Sequence, residues 1–283
     1  MNEPCIVCGD VTRGYAQCWR GLRRCGNCGH CVADLNLQYV DARAIYQRDY
    51  FFGGDCMNYL RDRAVFEEHF QTRLREIARY RADGDLIEIG CAYGFFLNCA
   101  QTRYRVRGFD LAEEPTAFAR ATFGVDARSA DFTALPDMEN SADIVVLWDT
   151  IEHLPFPERM LKQAAAALRP GGYLFLTTGD ISSVLARITK SRWRMIHPPT
   201  HLHYFTRASI AQLLQRVGLT TLKIDYVGVR RSISQVLFGL IALGRNDPPM
   251  FYRGLADSRV GRFSFVLNTF DIMLVIAQKC PTP

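Results

Sequence analysis

Two C-x2-C pairs, Cys5 with Cys8 in "CIVCG" and Cys25 with Cys28 in "CGNCG", are the residues whose type and spacing speak most directly of chemistry. Zinc takes four thiolates in a tetrahedron, and a tight turn can aim two of them inward if a residue without a side chain relieves it. Gly9 and Gly29 follow the two pairs, and the sixteen residues between Cys8 and Cys25 suffice for a small ribbon-type hairpin. The pattern predicts a structural Zn2+ on Cys5, Cys8, Cys25 and Cys28. Four thiolates leave no open position, so such a site stabilises the fold rather than catalysing a reaction. A rival set draws on Cys18 and on His30 or Cys31; the plainer alternatives are small buried side chains or a redox pair.

A second constellation lies in "DLIEIGCAYGFFLNCA" and the "YRVRGFD" that follows. It reads strand, glycine-containing turn, helix, second strand. Gly90 and Gly94 let backbone approach a ligand at the helix N-terminus, and Asp110, twenty residues after Gly90, can accept from ribose hydroxyls. The dinucleotide pattern G-x-G-x-x-G fails, because Ala92 and Phe95 stand where it needs glycine, and no G-x-x-x-x-G-K-[ST] run exists. Glu88 beside the turn suits a ligand that carries positive charge better than a pyrophosphate.

The elements that must position these residues follow in order. Leu60, Phe66, Phe70, Leu74 and Ile77 recur at three- or four-residue spacing, which predicts an amphipathic helix within Met57 to Tyr80. Beyond Asp110 come a helix around "PTAFARATF", a short strand near "VDAR", the strand core "IVVLW", and a helix through "PERMLKQAAAAL" ending at Pro170-Gly171-Gly172. "YLFLTT" then supplies another buried strand. This alternation predicts parallel units of an α/β sheet, with functional loops at the carboxyl ends of the strands, where Asp110, Asp149 and Asp180 fall.

The chain of 283 residues, 48% hydrophobic, can bury a sizeable core, and its +5 charge is scattered rather than blocked, so nucleic acid is not a required partner. Six of the ten cysteines lie within the first 31 residues, which fits a metal knot on a reduced, cytoplasmic protein better than a secreted disulfide scaffold. "MNEPCIVC" has no apolar run before its cysteines, so no signal peptide is expected. "VLFGLIALG" and "DIMLVIA" are shorter than the roughly 20 residues of a membrane-spanning helix, so no span is expected.

Taken in order, the paired knuckles, "YQRDYF", "LIEIGCAYGFF", "VRGFDLAEE", "SADFTALP", "ADIVVLWDTIEHLPFP", "LRPGGYLFLTT", "HLHYFT" and "FDIMLVIAQK" resemble class I S-adenosylmethionine-dependent methyltransferases, in particular the small-molecule group with a cysteine-rich zinc head. The resemblance implies a Rossmann-like seven-stranded methyltransferase sheet with helices on both faces, preceded by a zinc-ribbon-like segment. The expected organisation is a ribbon over 1–40, a helical cover over 41–80 and the methyltransferase domain over 81–283, with acceptor-lid regions at 179–206 and 228–262. It further implies that Glu88, Gly90, Ala92 and Gly94 form the turn beside the methionine part of S-adenosylmethionine, with Ala92 where many relatives have glycine. Asp110 would bind the ribose, while Asp131 and Phe132 would meet the adenine.

A sulfonium methyl is already a good electrophile, so the protein must align an acceptor and, where needed, take its proton. His153 in "DTIEHLPFP" lies just beyond the fourth strand of the predicted sheet and suits that base or orienting work. The stretch "HPPTHLHYFT", residues 197 to 206, holds three of the six histidines. An extended "HLHY" would turn His201 and His203 to one side, and Thr206 would cap the following helix. Substrate lining, plain structural hydrogen bonding and a metal site with His153 or Glu152 compete there; the reading adopted is a pocket wall, with His201 its leading residue. Residues 228 to 262 could enclose a greasy acceptor or form a homodimer face. The function expected is methyl transfer to a small-molecule acceptor, anionic or partly apolar, at oxygen, nitrogen or activated carbon. The alternatives are a zinc-ribbon protein that binds nucleic acid or a protein partner, and a nucleotide-dependent oxidoreductase.

Overall fold

The computed structural model describes residues 4–41, 59–238, 252, 254, 255 and 258–280. Part of the expected helical cover, including "YQRDYF", and part of the 228–262 segment lie outside the described residues. The first three strands are β1 (Tyr15–Gln17), β2 (Leu22–Cys25) and β3 (Cys31–Ala33). Helix α1 (Arg63–Ile77) precedes β4 (Asp85–Ile89), α2 (Phe95–Ala100), β5 (Arg105–Asp110), α3 (Glu113–Phe123) and β6 (Asp126–Ser129). Next come β7 (Ala142–Trp148), α4 (Pro157–Ala167), β8 (Leu168–Gly179), α5 (Val184–Thr189), β9 (His203–Tyr204) and α6 (Arg207–Arg216). The chain continues through β10 (Leu219–Tyr226), β11 (Val229–Ser232), α7 (Ile233–Leu237), α8 (Arg259–Arg262), β12 (Ser264–Leu267) and β13 (Ile272–Lys279).

Seven strands form one sheet in the order β10-β13-β8-β7-β4-β5-β6, in which β13 runs antiparallel to both neighbours. The strand order reverses between β4 and β7, and it is beside such a reversal that an α/β sheet opens a crevice at the strands' carboxyl ends. Alternate residues face opposite sides. Ile87, Ile89, Val145, Leu147, Leu174, Leu176, Met273 and Val275 pack with Leu161 and Ala164 of α4 and Leu213 and Leu214 of α6. Leu86, Ile144, Val146, Phe175, Leu274 and Ile276 pack with Ile77 of α1 and Phe96 of α2. Period-two alternation buried on both faces explains why these strands read as continuous apolar runs. Each fully buried aliphatic side chain stabilises the fold by about 1.5–3 kcal/mol.

Two boundaries differ from the sequence reading. The expected 57–80 helix is described over Arg63–Ile77, with Leu60 in a turn before it. Helix α4 ends at Ala167 rather than at Pro170, because the fully buried Leu168 pairs with Ala142 and the chain bulges before Tyr173 pairs with Ile144. The cap at Thr206 is as expected: its hydroxyl accepts from the Ser209 N–H, and the Ser209 hydroxyl accepts from the Thr206 N–H.

The four-stranded sheet β1-β2-β3-β9 takes its last strand from "HLHYFT". Cys31 stands opposite Tyr204 and Val32 opposite His203, and the Ala33 N–H donates to the Leu202 carbonyl at 2.8 Å. Arg216 of α6 donates to the Ile6 and Val7 carbonyls at 3.0 and 2.6 Å. The cysteine-rich head is therefore seated on the larger sheet unit. No helix among the described residues is long and apolar enough to cross a membrane.

Candidate active site and cysteine cluster

A cavity of about 450 Å³ opens at the carboxyl ends of β4, β5 and β7. Gly90 is at its floor with φ of 80°, in the left-handed region that glycine alone adopts easily. A Cβ there would sit 2.5 Å from the Thr150 hydroxyl oxygen, so glycine is needed for space as well as for conformation. Ala92 also has positive φ, 42°, a conformation that glycine adopts with less strain. Asp110 ends β5 and ties the turn together: one carboxylate oxygen accepts from the Ala92 N–H at 2.9 Å, the other from the Ala112 N–H at 2.9 Å.

Of the residues expected in the cofactor site, Gly90, Ala92, Asp110, Asp131 and Phe132 line this cavity together with His153. Asp131 also caps a 3₁₀ turn, accepting from the Thr133 N–H at 2.9 Å and the Thr133 hydroxyl at 2.7 Å. Phe132 is buried and its ring lies 5.2 Å from that of Phe109. Glu88 and Gly94 lie outside the lining. Glu88 is buried within β4, where burial and then Asp110 raise its pKa well above the carboxylate range. Gly94 caps α2 at φ of 72°, and a Cβ there would meet the Ala119 methyl at 2.6 Å, so it brings α2 against α3. The lining sets Asp110, Asp131 and Asp149 against Arg159, an acidic balance that suits a cationic ligand.

Sequence reasoning did not single out the opposite wall, formed by Leu154, Pro155, Phe156, Arg159 and Met160. The signal was the pair of prolines around Phe156, which stiffens a loop at a strand end. Arg159 lies over the Phe156 ring, 4.5 Å from its centroid. No residue of 197–206 lines this cavity.

His153 and the loop histidines form two separate groups. The His153 Nδ1–H donates to the Thr200 carbonyl at 2.8 Å, and the His201 Nδ1–H donates to the Met195 carbonyl at 2.8 Å. Their ring centroids are 4.4 Å apart, with His201 behind His153. Burial lowers both pKa values, that of His153 to about 4, so both rings are neutral at pH 7. His203 instead meets His30, with 3.1 Å between ring nitrogens, at the seam between head and sheet unit. The expectation that His201 and His203 share one side is thus corrected: the extended run is only His203–Tyr204, and the two histidines serve different partners.

In the head, Cys5, Cys8, Cys25 and Cys28 converge, with their sulfurs all within 4.8 Å of one another. Gly9 and Gly29 take φ of 72° and 74°, and their N–H groups close the knuckles onto the Cys5 and Cys25 carbonyls. Cys18 and Cys31 pair apart from this group at 3.9 Å, and His30 is engaged elsewhere, so the rival ligand set is not assembled.

A seven-stranded sheet with one antiparallel strand, and a glycine turn with an aspartate at the end of β5 in an acidic cavity, give the fold of class I S-adenosylmethionine-dependent methyltransferases. Comparison makes this specific: residues 59–224 match the methyltransferase-domain family model, and the chain belongs to that family. It is 28% identical over 157 residues to a ubiquinone biosynthesis O-methyltransferase of Burkholderia thailandensis, covering 48% of this chain and 67% of that one. It is 26% identical over 219 residues to a malonyl-[acyl-carrier protein] O-methyltransferase of Methylococcus capsulatus, covering 69% and 78%. Other curated relatives it matches are spanned over 41% to 66% of their own length. Among solved structures, magnesium protoporphyrin IX methyltransferase of Synechocystis shares the fold at a TM-score of 0.51 and 14% identity, over 82% of this chain and 92% of that one. An S-adenosylmethionine-dependent methyltransferase of Archaeoglobus fulgidus does so at 0.52 and 19%, over 75% and 94%.

Proposed function

We propose that the chain transfers a methyl group from S-adenosylmethionine to a small molecule that enters against the Leu154–Met160 wall. The observation that carries this reading is the convergence of Gly90, Asp110 and His153 on one cavity. Bound there, the cofactor supplies an electrophilic methyl on a sulfonium. The Gly90 turn gives its methionine part backbone access, the lone pairs that Asp110 keeps beyond its two N–H partners accept from ribose hydroxyls, and Asp131 with Phe132 receives the adenine.

His153 is the residue through which the chain acts on the acceptor. Its Nδ1–H is committed to the Thr200 carbonyl, which fixes the tautomer and places the ring lone pair on Nε2. The Phe156 ring and the Arg159 guanidinium suit an acceptor with an apolar body and an anionic or oxygen-bearing edge. His201 positions His153 and thereby acts on the acceptor indirectly.

The four head cysteines hold a structural zinc. A tetrahedron with Zn–S bonds of about 2.3 Å has edges of about 3.8 Å. Cys5 to Cys28 and Cys8 to Cys25 both measure 3.7 Å. The spacing fits the ion and is far too long for disulfides.

The test is a labelled-methyl transfer screen over small metabolites carrying hydroxyl, amine and activated carbon acceptors, with product mass spectrometry. The expected result is a methylated small molecule and turnover lost in His153→Ala while cofactor affinity stays near wild type. A His153→Ala protein that turns over normally at saturation would overturn the role given to His153.

A further inference from the structure

Of the eleven exposed large apolar side chains among the described residues, seven stand on two short segments. Val260, Phe263, Val266, Leu267 and Phe270 lie on α8, on β12 and on the turn that enters β13, with Phe263 and Phe270 64% and 63% exposed. Val184 and Ile188, each 74% exposed, stand one turn apart on α5. The segments are tied to each other. The Trp193 indole N–H and the Arg194 guanidinium donate to the Asp271 carboxylate at 2.8 and 2.9 Å, and Arg194 also reaches the Thr269 hydroxyl at 3.2 Å. Scattered apolar residues on a surface need no explanation, but a cluster of them marks a place of contact.

Both segments flank the edge of the sheet at which the cavity opens. β8 runs parallel to β7, so Gly179 ends it on the cavity's side, and α5 follows a few residues later. Ile272 stands opposite Gly179, so the 263–271 stretch enters β13 at that same edge.

The charges among these side chains are of one sign. No Asp or Glu occurs between Asp180 and Asp225, nor between Asp257 and Asp271. Arg187, Lys190, Arg192, Arg259 and Arg262 are exposed, and none of their side chains makes an ion pair with a described residue. The adjoining carboxylates are already engaged: Asp271 is buried against Arg194 at 2.9 Å, and Glu68 meets Arg230 at 3.1 Å. A second copy of this chain would bring five such cations against five, which repels. Protruding apolar side chains ringed by cations on long stems instead match an interface in which apolar tips enter hydrocarbon and the charges stay at phosphates.

We propose that this edge of the molecule docks on an anionic lipid bilayer. Phe263, Phe270, Val184 and Ile188 enter the acyl boundary, and the five cations sit among the headgroups. The docking stands apart from the methyl-transfer reading. One consequence rests on that reading: an acceptor with an apolar body reaches the cavity from the bilayer on which the cavity's edge is seated.

The experiment sediments the full-length protein with vesicles of equal parts phosphatidylcholine and phosphatidylglycerol, and with phosphatidylcholine alone. The expected result is binding to the anionic vesicles that weakens about tenfold or more without phosphatidylglycerol, and likewise when salt shortens the screening length from about 10 Å to about 3 Å. At about fivefold per charge, Arg259→Gln/Arg262→Gln should weaken binding roughly 25-fold, and Phe263→Ser/Phe270→Ser about tenfold or more. Arg79→Gln/Arg103→Gln removes the same charge from exposed positions at the sheet's amino edge and should stay within about twofold of wild type. The wild-type contrast between the two vesicle types needs no variant, so the proposal stays testable if a substitution prevents folding. No binding of folded wild type to anionic vesicles, equal binding to phosphatidylcholine alone, or equal losses in the edge and control variants would overturn it. A dimer in vesicle-free buffer that Phe263→Ser/Phe270→Ser dissociates would also overturn it, because a second copy would then cover the face. S-adenosylhomocysteine is titrated into the same samples; wild type that docks on vesicles but fails to bind it would count against the methyl-transfer reading alone, so the two failures are distinguishable.

Discussion

Replacing Asp110 with asparagine removes a charge while keeping the shape. Both carboxylate oxygens are engaged, one by the Ala92 N–H and one by the Ala112 N–H, each at 2.9 Å. An asparagine keeps one oxygen for one of these donors and turns its NH2 against the other. One bond is lost and the surviving one is no longer charge-assisted, a cost of about 2–4 kcal/mol spread over the turn and the cofactor. If the ribose contact bears about 1.5–3 kcal/mol of this, affinity falls by roughly 10- to 150-fold. Calorimetric titration of Asp110→Asn with S-adenosylhomocysteine reads the binding part, and thermal unfolding without ligand reads the turn. A folded variant that binds within about threefold of wild type would refute the assignment of Asp110 to the ribose.

The other expectations can be checked with single variants. Gly90→Ala must place a Cβ 2.5 Å from the Thr150 hydroxyl at φ of 80°, so it should lose about 2–4 kcal/mol of stability and most cofactor binding; an unchanged melting temperature would contradict the geometry. Cys5→Ser/Cys25→Ser should abolish zinc content by metal analysis and lower the melting temperature sharply, and retained stoichiometric zinc would show the ligand set to be wrong. Burial, with Arg73, Arg231 and Arg230 nearby, lowers the His69 pKa to about 3, and its Nδ1 accepts from the Arg230 N–H at 3.3 Å. The depressed folded pKa means the unfolded chain binds more protons below about pH 6.5, so stability is full above that pH and is lost as pH falls toward 3. By pH 5 the loss from this group is about 1–2 kcal/mol after allowance for its partial exposure. His69→Asn should therefore show a smaller drop in melting temperature from pH 7 to pH 5 than wild type; equal drops would refute this account.

Local chemistry made much of this legible in the sequence. Knuckle cysteines followed by glycine, a strand–glycine–helix run and the Thr206 cap are each decided within a few residues, and the structure agrees at Gly9, Gly29, Gly90 and Thr206. Pairings across long stretches of chain were not legible. His30 meets His203, 173 residues away, and β9 completes the head's sheet, so His203 and Tyr204 of "HLHYFT" pair with the cysteine-rich segment where the family resemblance suggested a pocket wall. The wall at Leu154–Met160 escaped notice for a related reason: apolar residues at a strand end look like core until the fold shows which of them face a cavity.

The central claim is tested most directly by calorimetric titration of the wild-type protein with S-adenosylmethionine, S-adenosylhomocysteine and NAD under one condition. The account predicts that both sulfur ligands bind one per chain and that NAD, whose pyrophosphate would meet the acidic lining and a turn without its glycine pattern, does not. Folded protein that binds neither sulfur ligand, or that binds NAD in their place, would contradict it.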